Sequence, residues 1–307
     1  MAKTKEHTMS LETVTVEKVD QVGKITLNRP EKLNAINDAM MRDLEAALDQ
    51  MQQDPDIWVV VIKGAGEAFS VGQDLSGVGT SEVMPPQPRA KAYLGDMFET
   101  AMRNCLRWQA IFDFPRWTIA EVHGYCLGAG CDLAMACRMV MAAEDAVFGD
   151  PSIRMGLASP NPLWTWRVGL KKTKEMLFTG KYIDGREAER IGLVMKAIPP
   201  DKLEEETNLA AESCAKFGTI GGFDGQAGFW AFDRATYDLS GLSAAWRLAS
   251  NLHTLSAIQR PGRSIIDRGE FDFYEVRDKR GLKAAIEARD ASFRKYFPQP
   301  KTPKENK

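Results

Sequence analysis

IAEVHGYCLGAGCDLAMAC, residues 119–137, decides the fold, and AAEDAVFGDPSIRMGL, residues 142–157, extends it. The apolar run from Ile119 reads as a strand that ends at His123. Gly124, Gly128 and Gly130 mark places where the backbone needs unusual angles or close approach, and Cys131 to Cys137 reads as the opening of an apolar helix. Unpaired N–H groups in a helix's first turn form a cradle for negative charge. Asp132 lies in that turn, and the acidic FGDPS loop follows about one helix and one strand later. The glycines alone equally fit a tight strand-to-helix connection.

A second glycine turn, Phe69 to Leu75, follows the run Trp58 to Ile62 and the GAG turn at 64–66. A run without clean alternation suits a strand buried on both faces, as in a parallel sheet. Two loops leaving parallel strands on one edge can each aim an N–H at one carbonyl oxygen, which stabilises an enolate or a tetrahedral adduct. Around these turns the pattern predicts a hairpin at 14–19 and 24–27, and a helix at about 37–52. Strands are predicted at 58–63, 116–122 and 139–143, and further helices at about 91–108 and 281–292. Strands alternating with helices imply an α/β core; periodicity does not separate a spiral from a doubly wound sheet.

ITLNRPEKLNAIN (25–37), VVVIKGAGEAFSVGQDL (59–75) and the two stretches quoted first resemble the crotonase, or enoyl-CoA hydratase/isomerase, family. KEMLFTGKYIDGREAERIGLV (174–194) and GLKAAIEARDASF (281–293) continue the likeness in the family's order. The resemblance implies a spiral of repeated ββα units with a C-terminal helical region. It also implies acyl-CoA thioester substrates and an oxyanion hole made by the backbone N–H groups of Gln73 and Ala129. Coenzyme A enters as part of the substrate, with no permanently bound cofactor and no metal. Val71, Asp74, Leu75, Phe293 and Lys295 are then the expected CoA-binding positions, and Met97 and Phe98 face the acyl group or, alternatively, the core.

The chain departs from the family where two glutamates usually activate and deliver water: Asp132 and Ser152 stand at those positions. A serine hydroxyl does not match a perturbed carboxylate as a general acid or base near neutral pH. Asp132 is therefore the leading acid/base, Asp150 the reserve, and Ser152 a positioning group. At a helix N-terminus Asp132 is drawn towards ionisation, whereas burial holds its proton; the sequence leaves the two in balance. Asp150, directly before Pro151, equally suits a structural Asx turn. Tyr125, Trp164 and Trp166 are expected to shape a compact acyl pocket, with packing at a subunit interface as the equal alternative for the tryptophans. Hydratase/isomerase chemistry is the reading, with an acyl-CoA or carbon–carbon bond hydrolase, or a catalytically weak acyl-CoA binder, as alternatives. A purely structural oligomer fits less well, because both loops and Asp132 are retained.

With 307 residues and 44% hydrophobic content the chain can bury a large core, and a net charge of −2 supplies no basic field for nucleic acid. The five cysteines lack metal spacing and suit a reducing cytoplasmic setting. No run approaches membrane-spanning length. The expected organisation is a core at 11–215, a helical trimerisation region at 216–298, and flexible ends at 1–10 and 299–307. A homotrimer or dimer of trimers is implied by the resemblance.

Overall fold

The computed structural model describes residues 11–76, 90–155, 161–258, 273–291 and 293–294. The chain opens with the antiparallel hairpin β1 (Val14–Val19) and β2 (Val22–Leu27), then helix α1 (Asp38–Gln53). The Asn37 side chain caps α1 by accepting the Met40 N–H at 2.9 Å. Met40, Met41, Leu44, Ala47, Leu48 and Met51 recur at three- and four-residue spacing, and that stripe is buried.

Three strand–strand–helix units follow. They are β3 (Val59–Gly64), β4 (Ala68–Ser70) and α2 (Ala90–Phe112); β5 (Trp117–Val122), β6 (Tyr125–Leu127) and α3 (Ala129–Ala136); and β7 (Met139–Ala143), β8 (Val147–Gly149) and α4 (Leu163–Thr179). The first strand of each unit enters one sheet and the second enters another. With β9 (Ile183–Asp184), helix α5 (Gly185–Arg190) and β10 (Lys196–Ile198), the sheets have the orders β1-β2-β3-β5-β7-β10 and β4-β6-β8-β9. This is the ββα spiral, and the doubly wound alternative is set aside. In the larger sheet, Ile25, Val60, Ile62, Ala120, Val122 and Ala142 are buried in one main core with the stripe of α1 and with Leu133 and Ala136 of α3. Each Val, Leu, Ile or Met side chain among them contributes about 1.5–3 kcal/mol when fully buried.

The smaller sheet positions the chemistry. Its strands β4, β6 and β8 run parallel, so the loops after Ser70, Leu127 and Gly149 leave along one edge. The expectation placed two such loops on long strands. The structure instead hangs three loops on three-residue strands, too short to carry a readable period.

The C-terminal region comprises α6 (Leu203–Leu239), broken at Gly222 (φ 61°), then α7 (Leu242–Ile258), α8 (Phe273–Arg280) and α9 (Leu282–Ala291). The expected junction at 215/216 falls inside α6. The aromatic residues of this region divide in two. Tyr237 and Trp246 pack edge-on against Phe112 at 5.0 and 5.5 Å, whereas Phe229 and Phe232 remain 57% and 71% exposed. Among the described residues, no helix is long and apolar enough to cross a membrane.

Candidate active site

The first loop, after β4, is held on one side by Ile36, whose N–H donates to Gly72 O at 2.8 Å while its carbonyl accepts from Asp74 N–H at 2.9 Å. In this parallel bridge the N–H of Gln73 points away from Ile36. Gly72 has φ +92°, and a Cβ on it would lie 2.5 Å from Leu127 O and 3.2 Å from Ala129 N. Only glycine lets the first and second loops approach so closely. Ala129 opens α3, so its N–H is one of the helix's unpaired first-turn donors. Among the described residues, neither the Gln73 nor the Ala129 N–H has an acceptor.

The third loop closes on the second through Gly128 N–H, which donates to Gly149 O at 2.9 Å. Asp150 is buried, and its Oδ1 accepts the Ser152 N–H at 2.8 Å in an Asx turn. Asp132, one turn into α3, is also buried. Burial first, and then the charge of Asp150, push the Asp132 carboxyl well above the ordinary range; a hydrogen bond from Asn161 opposes them only in part. The balance left open by the sequence falls to burial over the helix terminus. Asp132 is a buried carboxyl whose surroundings, the charge of Asp150 included, favour its protonated form.

A sequence model of the enoyl-CoA hydratase/isomerase family matches residues 17–220. The chain belongs to the enoyl-CoA hydratase/isomerase family. A Rhizobium meliloti protein named "Probable enoyl-CoA hydratase" is 38% identical over 212 residues, covering 68% of this chain and 77% of the relative. The Clostridium acetobutylicum "Short-chain-enoyl-CoA hydratase" is 33% identical over 200 residues, or 64% and 72% of the two chains. A solved enoyl-CoA hydratase/isomerase from Xanthobacter autotrophicus Py2 superposes with TM-score 0.77 at 32% identity, covering 92% of this chain and 99% of that one. An enoyl-CoA hydratase from Mycobacterium smegmatis gives TM-score 0.78 at 27% identity, over 92% and 94%. This chain is accordingly an enzyme of the hydratase/isomerase family that acts on acyl-CoA thioesters.

Other expected positions of this family member fall in several places. Val71 donates its N–H to Leu33 O at 3.1 Å, and Leu75 O accepts from Arg277 of α8 at 3.3 Å. Phe293 lies against the buried guanidinium of Arg154 at 5.4 Å, with Tyr182 on that guanidinium at 4.1 Å. Arg154 also pairs with Asp290 at 3.0 Å and bonds Gly180 O. The C-terminal helices therefore grip the first loop through Arg277 and the third through Arg154. Tyr125 packs with Leu127, Val147 and Tyr182, on the side of β6 opposite Cys126. Trp164 has no accessible surface and packs in the main core, which removes its ring from any open pocket wall. Trp166 is half-buried and donates to Ser240 Oγ at 2.7 Å, tying α4 to the end of α6. Lys295 and the side chains of Met97 and Phe98 lie outside the described residues.

Two partners were absent from the sequence reading. Asn161, buried, donates to Asp132 Oδ1 at 2.9 Å; its only local signal was an Asn-Pro step before a helix. Arg29 donates to Asp74 at 3.0 Å and to Ala35 O at 2.6 Å, pinning the Gln73 loop. Cys131 donates its thiol to Cys126 O at 2.8 Å, and burial holds that thiol well above its usual range, so it is not a nucleophile.

Asp74 yields a pH prediction. Burial raises its pKa, but the Ser76 hydroxyl and N–H together with Arg29 outweigh burial and hold the carboxyl below its ordinary 3.8. A depressed folded value means stability that is present above 3.8 and lost as pH falls through the folded value. Wild type should therefore melt above Asp74→Asn at pH 6, with the gap closing below pH 3.8. A gap that stays constant down to acid unfolding contradicts the pairing.

Proposed function

We propose that the thioester carbonyl oxygen of an enoyl-CoA accepts hydrogen bonds from Gln73 and Ala129 N–H, and that Asp132 delivers the proton that quenches the resulting enolate. The observation that carries this reading is the close approach of the loops after β4 and β6, where a Cβ on Gly72 would lie 3.2 Å from Ala129 N, with the buried Asp132 carboxyl one helical turn beyond Ala129. Negative charge develops on the thioester oxygen as a nucleophile adds at the β carbon. Each preorganised amide stabilises that charge by about 3 kcal/mol in the transition state. Asp132 then protonates the α carbon, a role that burial and the neighbouring charge favour by raising its pKa. Asp150 is the reserve proton acceptor for the attacking water, and Ser152 positions that water. Val71, Asp74 and Leu75, with Phe293 and Lys295, flank the CoA moiety. Five free cysteines support a reducing, cytoplasmic setting, and the exposed Phe229 and Phe232 support a homotrimer or dimer of trimers.

Turnover of a panel of linear and cyclic enoyl- and oxoacyl-CoAs in heavy-oxygen water, read by mass spectrometry, tests the reading. The expected product is an alcohol carrying the heavy oxygen. Heavy oxygen in a new carboxylate overturns hydration in favour of hydrolysis. A shifted double bond without label retains the cradle and Asp132 but removes the water step assigned to Asp150 and Ser152.

A further inference from the structure

Asp132 has two oxygens, and its surroundings treat them differently. Asn161 Nδ2 donates to Oδ1 at 2.9 Å. The orientation of that amide is not free, because its own Oδ1 accepts the Leu163 N–H at 2.9 Å. A flipped amide would set two donors against each other at Leu163, so the NH2 group must face the carboxyl. The frame behind the amide is also fixed. Arg167, farther along α4, donates to Met135 O at 2.9 Å and Cys137 O at 3.2 Å, so α4 is stitched to α3 beyond Asp132 as well as at it. Both partners are buried, and such a bond is not exchanged for water.

We infer that Asn161 is a positioning residue for the Asp132 carboxyl: its amide commits Oδ1 as an acceptor and leaves Oδ2 as the oxygen that holds and transfers the proton. The carbonyl oxygen of a protonated carboxyl accepts more strongly than its hydroxyl oxygen, so an N–H donated to Oδ1 favours the proton on Oδ2. The proton is thereby assigned to one atom, Oδ2, from which it leaves. The inference rests on Asp132 being the proton donor.

The discriminating variant is Asn161→Asp. It keeps an oxygen for the Leu163 N–H, and so keeps the local turn, but removes the donor to Asp132 and adds a second carboxyl. Its melting curve and circular dichroism establish that it folds; Asn161→Ala, which loses both bonds, is run beside it. Loss of a donor to the ionised form, with a like charge added, raises the Asp132 pKa. The alkaline limb of the kcat profile should then move up by about one pH unit or more, with kcat at the optimum lowered ~10-fold and KM within about threefold. Asn161→Ala should move the limb in the same direction by less. An Asn161→Asp profile that overlays wild type, while Asp132→Asn is inactive, overturns the positioning role and leaves the acid assignment standing. Full activity in Asp132→Asn overturns both.

Discussion

Asp132→Asn should lower kcat by ~10²–10⁴-fold while leaving KM little changed, because it removes a proton transfer that occurs only on the way to product. Asn is nearly isosteric, and its own Oδ1 can still accept from Asn161 Nδ2, so the fold is preserved. The same variant should be more stable. The folded-state pKa of Asp132 is raised above the ordinary 3.8, so its contribution to stability is full below that value and is lost as pH rises through the folded one. Over that interval the carboxyl is a growing cost, and the neutral amide escapes it. A gain of about 1 kcal/mol corresponds to a rise of roughly 1.5 °C in melting temperature for a chain of 307 residues. The gain should widen as pH rises from 3.8 towards the folded value and level off above it. Kinetics on any enoyl-CoA that is turned over, together with thermal melts across that range, check both halves. Activity matching wild type across the pH profile removes Asp132 from catalysis, and a lower melting point contradicts the burial account.

Gly72→Ala should cost about as much by another route. The residue has φ +92°, and its Cβ would meet Leu127 O at 2.5 Å and Ala129 N at 3.2 Å. Both obstacles are backbone, so no flexible side chain can yield. The first loop must move away from the second, and the two amides separate. Loss of one oxyanion donor lowers kcat by ~10²–10³-fold. Binding of intact acyl-CoA, measured by calorimetry, should weaken less than kcat falls, because the amides act on charge that develops only in the transition state. Gly241→Ala separates backbone strain from loss of the cradle. That glycine also has positive φ, +86°, but nothing lies within 4 Å of its Cβ position. It should lower the melting point by the cost of a left-handed alanine, ~1 kcal/mol, without changing kcat. Equal kinetic losses in the two variants would mean that strain, and not loop separation, is responsible.

The glycine turn into α3 was legible because it rests on local features. A glycine that must accept positive φ, a helix beginning directly after it, and an acid in the first turn all lie within nine residues, Gly124 to Asp132. Asn161 was not legible. It meets Asp132 across 29 positions, from a segment whose tryptophans drew attention as pocket walls, and the structure buries Trp164 instead. Arg154 and Asp290 lie 136 positions apart, and neither has a local pattern that names the other.

By itself the sequence determined the hairpin, the capped α1, the both-face-buried strands β3 and β5, and the placing of Gln73, Ala129 and Asp132 at strand ends and a helix start. Each follows from side-chain period or backbone permission within a few residues, which a chain carries before it folds. The tertiary structure decided the rest. β4, β6 and β8 are strands only because they pair with one another, and that pairing brings three loops to one edge. The direction in which the Asp132 carboxyl is pushed is likewise decided there. Its place in α3 favours the ion, but enclosure by the core and the approach of Asp150 favour the acid, and both belong to neighbours in space rather than in sequence.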